Sequence, residues 1–506
     1  MRANLMFRDR GFDIDAPKAP GRDDMIIDLQ IQRILDAMSN GNKTINDVCD
    51  AALFQPLQSI DEISYRHETL DDARRNPDVV TKLFEIADEA TERHSVKFRK
   101  MPSAHVSVMY HNTIEYLRGC IDSLQSLRKL AHRERKKFSS EGFTNLLSLL
   151  ESELDDDYLK PLDRKLQSLF SGDDAIISAD LGEILEGVSF TSRKPVFHGI
   201  TDNWMTAPMY TINDNSTTLH IEKKEFELRS DLAMDRMTTA LRQSAEFVGS
   251  FFNMLRNETG FFAGVLNLEN KLKKIGMPLA RPTLLPVEST RHDWSGLYDV
   301  SLALIRNAKV VGSELDTENK KLFVITGANQ GGKSTYLRGM GQAYLMAQCG
   351  MYVGAESYTS PLRRNLFTHF KREADIRLKS GKLDEELERL SKIGEHLTPG
   401  CLVFLNESFS STNEREGSEI IRQITQAMIE NNIEVFSVTH MYIYATAFKD
   451  DASTMFLRAQ RRDGGERTFK IQPGEPLVTA FGEDIYRQVF LGEAAMKRDA
   501  DGIVVN

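Results

Sequence analysis

The residues from Gly327 to Ser334 have the types and the spacing that bind phosphate. They match the P-loop pattern GxxxxGK[ST] in full. Glycines let the backbone curl so that successive N–H groups point at phosphate oxygens, and the following helix presents its positive end to the same anion. Lys333 is expected to reach the β- and γ-phosphates of ATP, and the Ser334 hydroxyl to ligate Mg²⁺. The predicted nucleotide-binding residues of this loop are Gly327, Ala328, Asn329, Gln330, Gly331, Gly332, Lys333, Ser334 and Thr335.

A second polar pair, Asn406-Glu407, follows the apolar run Leu402–Leu405. A P-loop needs an acidic partner at the end of another strand, where ligands of open α/β sheets bind. Glu407 is the candidate to orient or deprotonate the attacking water, and Ser334, Asn406 and Glu407 are the predicted metal ligands. Asn406 stands where a P-loop protein usually has an Asp, so we expect weakened Mg²⁺ binding and slow hydrolysis.

His440 follows the apolar run Ile433–Thr439, at the end of a third predicted strand. A lone histidine is more often a satisfied structural residue, and that is the alternative interpretation here. Its place at a strand end favours contact with the γ-phosphate, because parallel strands present their carboxyl ends to one ligand site. Glu407 and His440 are therefore the predicted catalytic residues.

The C-terminal half predicts an α/β fold. The apolar run Lys321–Thr326 precedes the P-loop, a helix-competent stretch to Cys349 follows it, and Cys401–Leu405 and Ile433–Thr439 are further strand candidates. Strands that alternate with helices predict a mostly parallel sheet. This context argues against the alternative of a Gly-rich turn without a ligand.

The N-terminal half is mostly helical in pattern. Residues 23 to about 180 carry apolar side chains at helical spacing, whereas about 182–227 is rich in turn residues, with a strand-like alternation at Thr217–Ile221. A long helix is predicted from Asp231, and three prolines between 277 and 286 mark a boundary. We predict a helical core and lever region over 1–280, with a small β-containing insert, and an α/β domain over 287–506.

The composition is that of a soluble globular chain. Its 506 residues are 41% hydrophobic and 27% charged, and at roughly 100–200 residues per domain they predict two to four domains. The longest apolar runs are far shorter than the about 18 residues that cross a bilayer. The charged N-terminus has no apolar region of a secretory signal, and the four cysteines form no CxxC pair. We expect a cytoplasmic protein with reduced thiols and no membrane partner.

The net charge of −10 argues against a nucleic-acid surface over the whole chain, but it leaves room for local basic patches. Two clusters of basic residues lie at 93–100 and 128–137. The alternative interpretation is that both are solvated helix faces, which is the usual behaviour of charge runs. The clusters remain candidates for contact with DNA phosphates.

The segment ITGANQGGKSTYLR at 325–338 resembles the P-loop of the MutS family of DNA mismatch-repair ATPases, which typically reads TGPNMGGKSTYLR. Further segments resemble family motifs in the same order along the chain: 350–355, 367–368, 381–387, 402–407 and 438–440. The resemblance covers about 287–492, and weaker similarity to the family's core and lever extends over 55–68 and 261–272. It implies a MutS-like, ABC-type P-loop NTPase domain behind a helical region.

If the resemblance holds, it implies an ATP-driven dimeric DNA clamp that acts in mismatch repair or a related repair or recombination reaction. It implies a homodimer with two composite ATP sites, duplex or structured DNA bound through phosphates, and possible repair partner proteins. In the family, a segment of one subunit approaches the nucleotide of the other, which assigns that role to Ser380 and Gly381. We expect no domain with the family's Phe-x-Glu mismatch wedge, because nothing before residue 180 has that motif. We also expect no helix-turn-helix or nuclease appendage, because the chain stops soon after the ATPase segments.

Two other functions are compatible with the sequence. In the first, Asn406 makes hydrolysis negligible, and ATP serves only to hold a dimer on DNA or on a protein partner. In the second, the chain is an unrelated P-loop NTPase that acts on protein or RNA, which the ordered set of family segments makes less favourable.

Overall fold

The computed structural model describes residues 2–99, 106–170, 176–181, 187–193, 217–328, 330–372, 381–462 and 467–476. The chain divides into two units. The helical unit comprises Met1–Leu5, Asp9–Gly11 and Asp78–Thr259, and the P-loop unit comprises Met6–Arg8, Phe12–Pro77 and Gly260–Asn506. Residues 12–77 therefore group with the C-terminal part of the chain. The predicted domain bounds, 1–280 and 287–506, stay a prediction.

The helices of the described residues, in chain order, are α1 Arg22–Asp28, α2 Ile31–Ser39, α3 Lys43–Leu53, α4 Ile60–Arg75, α5 Pro77–Arg99, α6 Val106–Glu134, α7 Glu141–Glu153, α8 Asp156–Phe170, α9 Thr217–Ile275, α10 Val300–Arg306, α11 Lys333–Gln348, α12 Lys382–Gly394, α13 Glu414–Glu430 and α14 Tyr442–Thr446. The strands are β1 Ile176–Leu181, β2 Gly187–Arg193, β3 Thr283–Leu285, β4 His292–Leu297, β5 Ser313–Thr317, β6 Leu322–Thr326, β7 Ser357–Pro361, β8 Leu366–Phe370, β9 Leu402–Asn406, β10 Glu434–Val438, β11 Thr454–Arg461 and β12 Arg467–Pro473.

The helical unit confirms the helical pattern of the N-terminal half. Helix α6 packs against α7 and α8, with buried side chains such as Leu127, Phe143 and Leu147. Strands β1 and β2 pair antiparallel, so β structure is present at the start of the predicted insert. No described helix of the chain is both long and apolar enough to cross a bilayer.

The prediction of a strand at Thr217–Ile221 is wrong, because these residues form the first turn and a half of α9. Five alternating residues are too few to distinguish a strand from a helix. The Glu- and Lys-rich stretch that follows favours the helix, and α9 begins well before the predicted Asp231. Residues 182–186 and 194–216 of the predicted insert lie outside the described residues.

Within the described part of the P-loop unit, six strands form the main sheet in the order β12-β11-β6-β10-β9-β8. Strands β8, β9, β10, β6 and β11 run parallel, and β12 joins antiparallel at the edge. The run Leu322–Ile325 of β6 is fully buried, as expected for a strand covered on both faces. The predicted α/β fold of this half is confirmed, and the bounds of the three predicted strands shift by at most one residue.

Residues from the first part of the chain support the helix that follows the P-loop. Gln342 on α11 donates to the Leu29 carbonyl and accepts from the Val300 amide, at 2.9 and 2.8 Å. The buried Arg66 donates to the Cys349 carbonyl at 3.0 Å, at the end of the same helix. These buried hydrogen bonds give the polar groups of Gln342 and the Cys349 carbonyl partners away from water, so they stabilise the position of α11.

A buried ionic cluster joins the main sheet to the second sheet, which has the order β3-β7-β4-β5 in the described residues. Glu434 of β10 accepts from Arg363 and from His292 of β4, the latter at 3.1 Å. Tyr344 donates to the other nitrogen of His292 at 3.0 Å. Burial by itself would raise the pKa of Glu434, but Arg363 and His292 outweigh burial and hold the pKa below its usual value.

Glu434→Gln is predicted to destabilise the P-loop unit by about 3–5 kcal/mol at neutral pH, because it leaves Arg363 buried and unpaired. Because the folded-state pKa of Glu434 is lowered, its contribution is present above the unfolded pKa of about 4.3 and is lost as the pH falls below it. The difference in stability between the parent and the variant should therefore shrink in acid.

Urea unfolding followed by the fluorescence of buried Trp294 measures this effect. Trp204, the other tryptophan of the chain, is replaced by Phe in every protein of the series. Glu419→Gln is the matched control, because Glu419 pairs with Arg422 on an exposed helix face, and such pairs contribute about 0–1 kcal/mol. Equal effects of the two substitutions would contradict the prediction.

Candidate functional site

The P-loop connects β6 to α11 through a backbone that needs glycine. Gly327 and Gly332 have φ of 116° and 93°, in the left-handed region. A Cβ atom at Gly331 would lie 2.8 Å from the Cβ of Ala459 on β11, so this glycine is required for close packing. Gly332 is the N-cap of α11, so the loop ends at a helix N-terminus with free N–H groups.

Lys333 lies folded over the P-loop. Its Nζ donates to the carbonyls of Gly327 and Ala328, at 2.8 and 3.1 Å. Burial lowers the pKa of Lys333 and Arg467 lowers it further, whereas Glu407 opposes the shift. Among the described residues, the desolvated ammonium of Lys333 forms no ion pair. Such an ammonium interacts strongly with an anion, so the geometry fits the predicted role in phosphate binding.

The three predicted metal ligands include two that meet directly. Ser334 Oγ donates to Asn406 Oδ1 at 2.9 Å, although the two residues are on different elements. Glu407 is the next residue, and its backbone N–H donates to the Val438 carbonyl at 2.8 Å. Hydroxyl, amide and carboxylate oxygens are the ligands that Mg²⁺ prefers, so the residues present fit this ion.

Glu407 has a φ of 54°, which is uncommon for a residue with a side chain. Left-handed backbone at non-glycine residues clusters at active sites, where surrounding contacts maintain it. The next turn is held from α12: the buried carboxylate of Glu386 accepts from the Phe409 amide and from Ser411 Oγ. Glu386 lies in the segment 381–387 that resembles a family motif, and its contacts join that segment to the turn after Glu407.

A cavity of about 980 Å³ collects these groups within the P-loop unit. Its P-loop end is lined by Gln330, Gly331, Gly332, Lys333, Ser334, Thr335, Glu407, His440 and Arg467. The rest of its lining combines the apolar Leu297, Leu302, Val310 and Val311 with Asp299, Arg306, Lys309 and Ser313. A cavity of this size, with both polar and apolar lining, fits a mononucleotide.

His440 follows β10 and is exposed toward the cavity, which argues against the alternative of a buried structural histidine. Gly381 is the N-cap of α12 and does not line this cavity. Asn329 and Ser380 lie outside the described residues. The role of Ser380 and Gly381 toward the nucleotide of a second subunit stays a prediction.

Sequence reasoning missed Arg467 and Phe469, which line the cavity from β12. They lie about 135 residues beyond the P-loop, after the last family motif that the sequence offered. No motif marks them, because their place beside the P-loop follows from the pairing of β12 with β11 and of β11 with β6.

Two family models match the chain: the MutS2 N-terminal domain over residues 58–275 and MutS domain V over residues 323–475. The DNA mismatch repair protein MutS of Desulfitobacterium hafniense is 30% identical over 274 residues, 50% of this chain and 30% of that relative. Endonuclease MutS2 of Thermus thermophilus is 30% identical over 145 residues, 29% of this chain and 19% of that relative. MutS protein homolog 4 of Homo sapiens is 29% identical over 160 residues, 32% and 17% of the two chains. Each match therefore spans less than a third of the relative's length.

Lys333→Ala is predicted to weaken ATP binding by about 1.5–3 kcal/mol, roughly ten- to 150-fold, because it removes a charge-assisted contact to phosphate. A nucleotide titration of the purified chain measures the change. Lys392→Ala removes an exposed lysine of α12 and should leave the affinity unchanged. Unchanged affinity in Lys333→Ala would mean that the nucleotide site is wrongly placed.

Proposed function

Because the chain is a MutS-like protein, we propose that it is an ATP-dependent DNA-binding protein that hydrolyses ATP slowly. We propose further that it acts as a homodimeric clamp in DNA mismatch repair or a related repair or recombination reaction. The observation that supports the ATPase part is that Lys333, Ser334, Glu407 and His440 line one cavity, and that Asn406 accepts a hydrogen bond from Ser334.

The chemistry follows from these positions. The loop amides and Lys333 bind the phosphates, and Ser334, Asn406 and Glu407 would hold Mg²⁺, which neutralises phosphate charge when bound. Glu407 orients the attacking water and accepts its proton. His440 contacts the γ-phosphate side of the site.

Hydrolysis depends on how firmly Glu407 is positioned. Its backbone is held by Val438 on one side, and the turn after it is held by Glu386 on the other. Helix α12 follows directly on Gly381, the residue we propose to approach the nucleotide of the second subunit. Dimerisation on ATP would therefore act on the same helix that holds the catalytic turn.

Asn406 supports a second candidate, a nucleotide-gated binding protein with negligible hydrolysis. An amide oxygen can accept from Ser334, as it does at 2.9 Å, but it brings no negative charge to the metal. In this case ATP binding, without turnover, would hold a dimer on DNA or on a protein partner.

Glu407→Gln and Asn406→Asp distinguish the two candidates. If the protein is an ATPase, Glu407→Gln keeps ATP binding and slows hydrolysis by at least about 10²-fold, the low end for general acid–base catalysis. Asn406→Asp should lower the Mg²⁺ concentration that gives half-maximal activity, because a carboxylate adds charge beside the metal. Steady-state phosphate release with and without DNA measures both effects.

Hydrolysis at the parental rate in Glu407→Gln would contradict the catalytic role of this residue. A higher Mg²⁺ requirement in Asn406→Asp would contradict our account of Asn406. Parental ATP binding with no measurable turnover, with or without DNA, would favour the nucleotide-gated candidate.

The basic cluster at 128–137 is the proposed contact with DNA in the helical unit. Lys129, Arg133, Arg135, Lys136 and Lys137 are exposed. Four members of the cluster pair with two acids: Arg133 and Lys137 with Glu134, and His132 and Arg135 with Glu151. The cations outnumber these acids, so the surface keeps a net positive charge, although part of it is neutralised.

The cluster at 93–100 is only partly described. Arg93 pairs with Glu89 at 2.6 Å and donates to the Gly119 carbonyl at 3.1 Å, so its guanidinium is committed to the fold. Lys100 lies outside the described residues. We therefore rest the DNA proposal on the cluster at 128–137.

A fourfold replacement by Ala is predicted to lower the affinity for all DNA duplexes about equally and to leave ATP hydrolysis unchanged. The residues replaced are Arg133, Arg135, Lys136 and Lys137. Phosphate contacts carry no sequence information, and each contributes about −0.9 to the slope of log affinity against log salt. The slope should therefore flatten. Replacing Lys43, Lys392, Arg422 and Lys449, four exposed cations of the P-loop unit, is the control of equal charge.

A G·T heteroduplex and its matched homoduplex, compared at one salt concentration, test the recognition mode. We expect similar affinities, because no Phe-x-Glu motif of the kind that forms the family's mismatch wedge lies before residue 180. A preference above roughly tenfold, about 1.4 kcal/mol, would mean true mismatch recognition. No binding to homoduplex, mismatched, branched or single-stranded DNA, with or without ATP, would contradict the DNA-binding proposal.

A further inference from the structure

Arg467 is a cation beside the P-loop that neither the P-loop motif nor the family segments predict. It is the first residue of β12, and its Nη1 donates to Gln330 Oε1 of the P-loop at 2.9 Å. It lines the same cavity as Lys333 and Glu407. After burial, the charge of Arg467 is what lowers the pKa of Lys333, so the two cations lie within electrostatic reach of each other.

The backbone that carries Arg467 is fixed against the P-loop. A Cβ atom at Gly332 would lie 3.2 Å from the carbonyl oxygen of Phe469, two residues further along β12. The Ile471 amide donates to Ser313 Oγ at 3.2 Å, which ties the same strand to β5. Arg467 is therefore presented by a strand that packs on the phosphate-binding loop of its own chain.

Its partner in this structure is a neutral amide. Among the described residues, no carboxylate forms an ion pair with the Arg467 guanidinium. The MutS family typically has Met at the position of Gln330, and a thioether is at most a weak acceptor. Lys333 and Arg467 are thus two cations that line the same cavity as the carboxylates of Glu407 and Asp299, of which Asp299 is paired with Arg338.

We propose that Arg467 binds the terminal phosphate of ATP in the site of its own subunit, and exchanges its contact with Gln330 for that phosphate. The proposal rests on the ATP-binding function proposed above. A guanidinium forms paired hydrogen bonds with phosphate oxygens, in which donor and acceptor are both charged, whereas the Gln330 amide offers one neutral acceptor. The exchange is therefore favourable when a γ-phosphate is bound.

ADP has no γ-phosphate, so this contact distinguishes ATP from ADP within one subunit. A contact from a second subunit would also discriminate between ATP and ADP, but that contact needs dimerisation. Arg467 would let a single chain favour the triphosphate before any partner arrives. An arginine supplied in cis is a known arrangement for stabilising transferred phosphate charge.

The test is a titration of the full chain with Mg²⁺ and either ADP or the non-hydrolysable adenosine 5′-(β,γ-imido)triphosphate. Arg467→Ala should lower the affinity for the triphosphate at least tenfold, about 1.4 kcal/mol, and change the affinity for ADP less than twofold. Arg467→Lys keeps the charge without the paired donors and should lie between. Lys470→Ala, on the same strand and paired with Glu314, should change neither affinity.

Gln330→Met, which restores the residue typical of the family, separates phosphate contact from loop shape. It should raise triphosphate affinity, because Arg467 is released from the amide. It also keeps the proposal testable if Arg467→Ala does not fold. A tenfold loss of triphosphate affinity in Gln330→Met would overturn the proposal, because the Gln330 amide would then be the group on which triphosphate binding depends.

An equal loss of affinity for ATP and ADP in Arg467→Ala would also overturn the proposal, since Arg467 would then only shape the P-loop. If Lys333→Ala weakens nucleotide binding but Arg467→Ala does not change it, this inference fails and the ATP site stands. If Lys333→Ala has no effect either, the nucleotide site itself is wrong.

Discussion

The in-register pairing of the parallel strands β6, β10 and β9 is the constraint on which the rest of the site depends. Val438 of β10 is opposite Ile325 of β6 and opposite Asn406 of β9. The chain therefore leaves the sheet at one level on three neighbouring strands, and the P-loop, Glu407 and His440 emerge side by side. A register shift of one residue would turn these side chains to the opposite face of the sheet.

The same register explains the contact between Ser334 and Asn406. Helix α11 begins where β6 ends, and Asn406 is the last residue of β9, so the hydroxyl and the amide approach across the intervening strand. Glu407 then turns back through a left-handed backbone that Val438 and Glu386 stabilise from two sides. Backbone pairing thus sets the positions of the proposed metal ligands and of the proposed catalytic carboxylate.

The edge of the sheet adds a group that the central strands cannot supply. Strand β12 is antiparallel to β11, so its first residues, not its last, lie at the level of the P-loop. Arg467 and Phe469 reach the cavity for this reason. The site consequently has cations from two directions: Lys333 from the loop, and Arg467 from the sheet edge.

Much of the site followed from the sequence, because local spacing determines it. A P-loop works through residues within eight positions of one another, and the polar pair after Leu402–Leu405 and the histidine after Ile433–Thr439 were predictable from buried strands that end in polar residues. The helical nature of the N-terminal half followed from its periodicity. Thr217–Ile221 shows the limit of that reasoning, since five residues fit either period.

Only the tertiary structure decided which distant residues meet. The pairing of Glu386 with the turn after Glu407, the support of α11 by Arg66 and Leu29, and the place of Arg467 beside Gln330 all join residues far apart in sequence. Charged residues such as Arg467 carry no periodic signal, because an exposed cation and a ligand-binding one look alike in a sequence. Their roles depend on strand order and register, which long-range packing determines and local spacing does not.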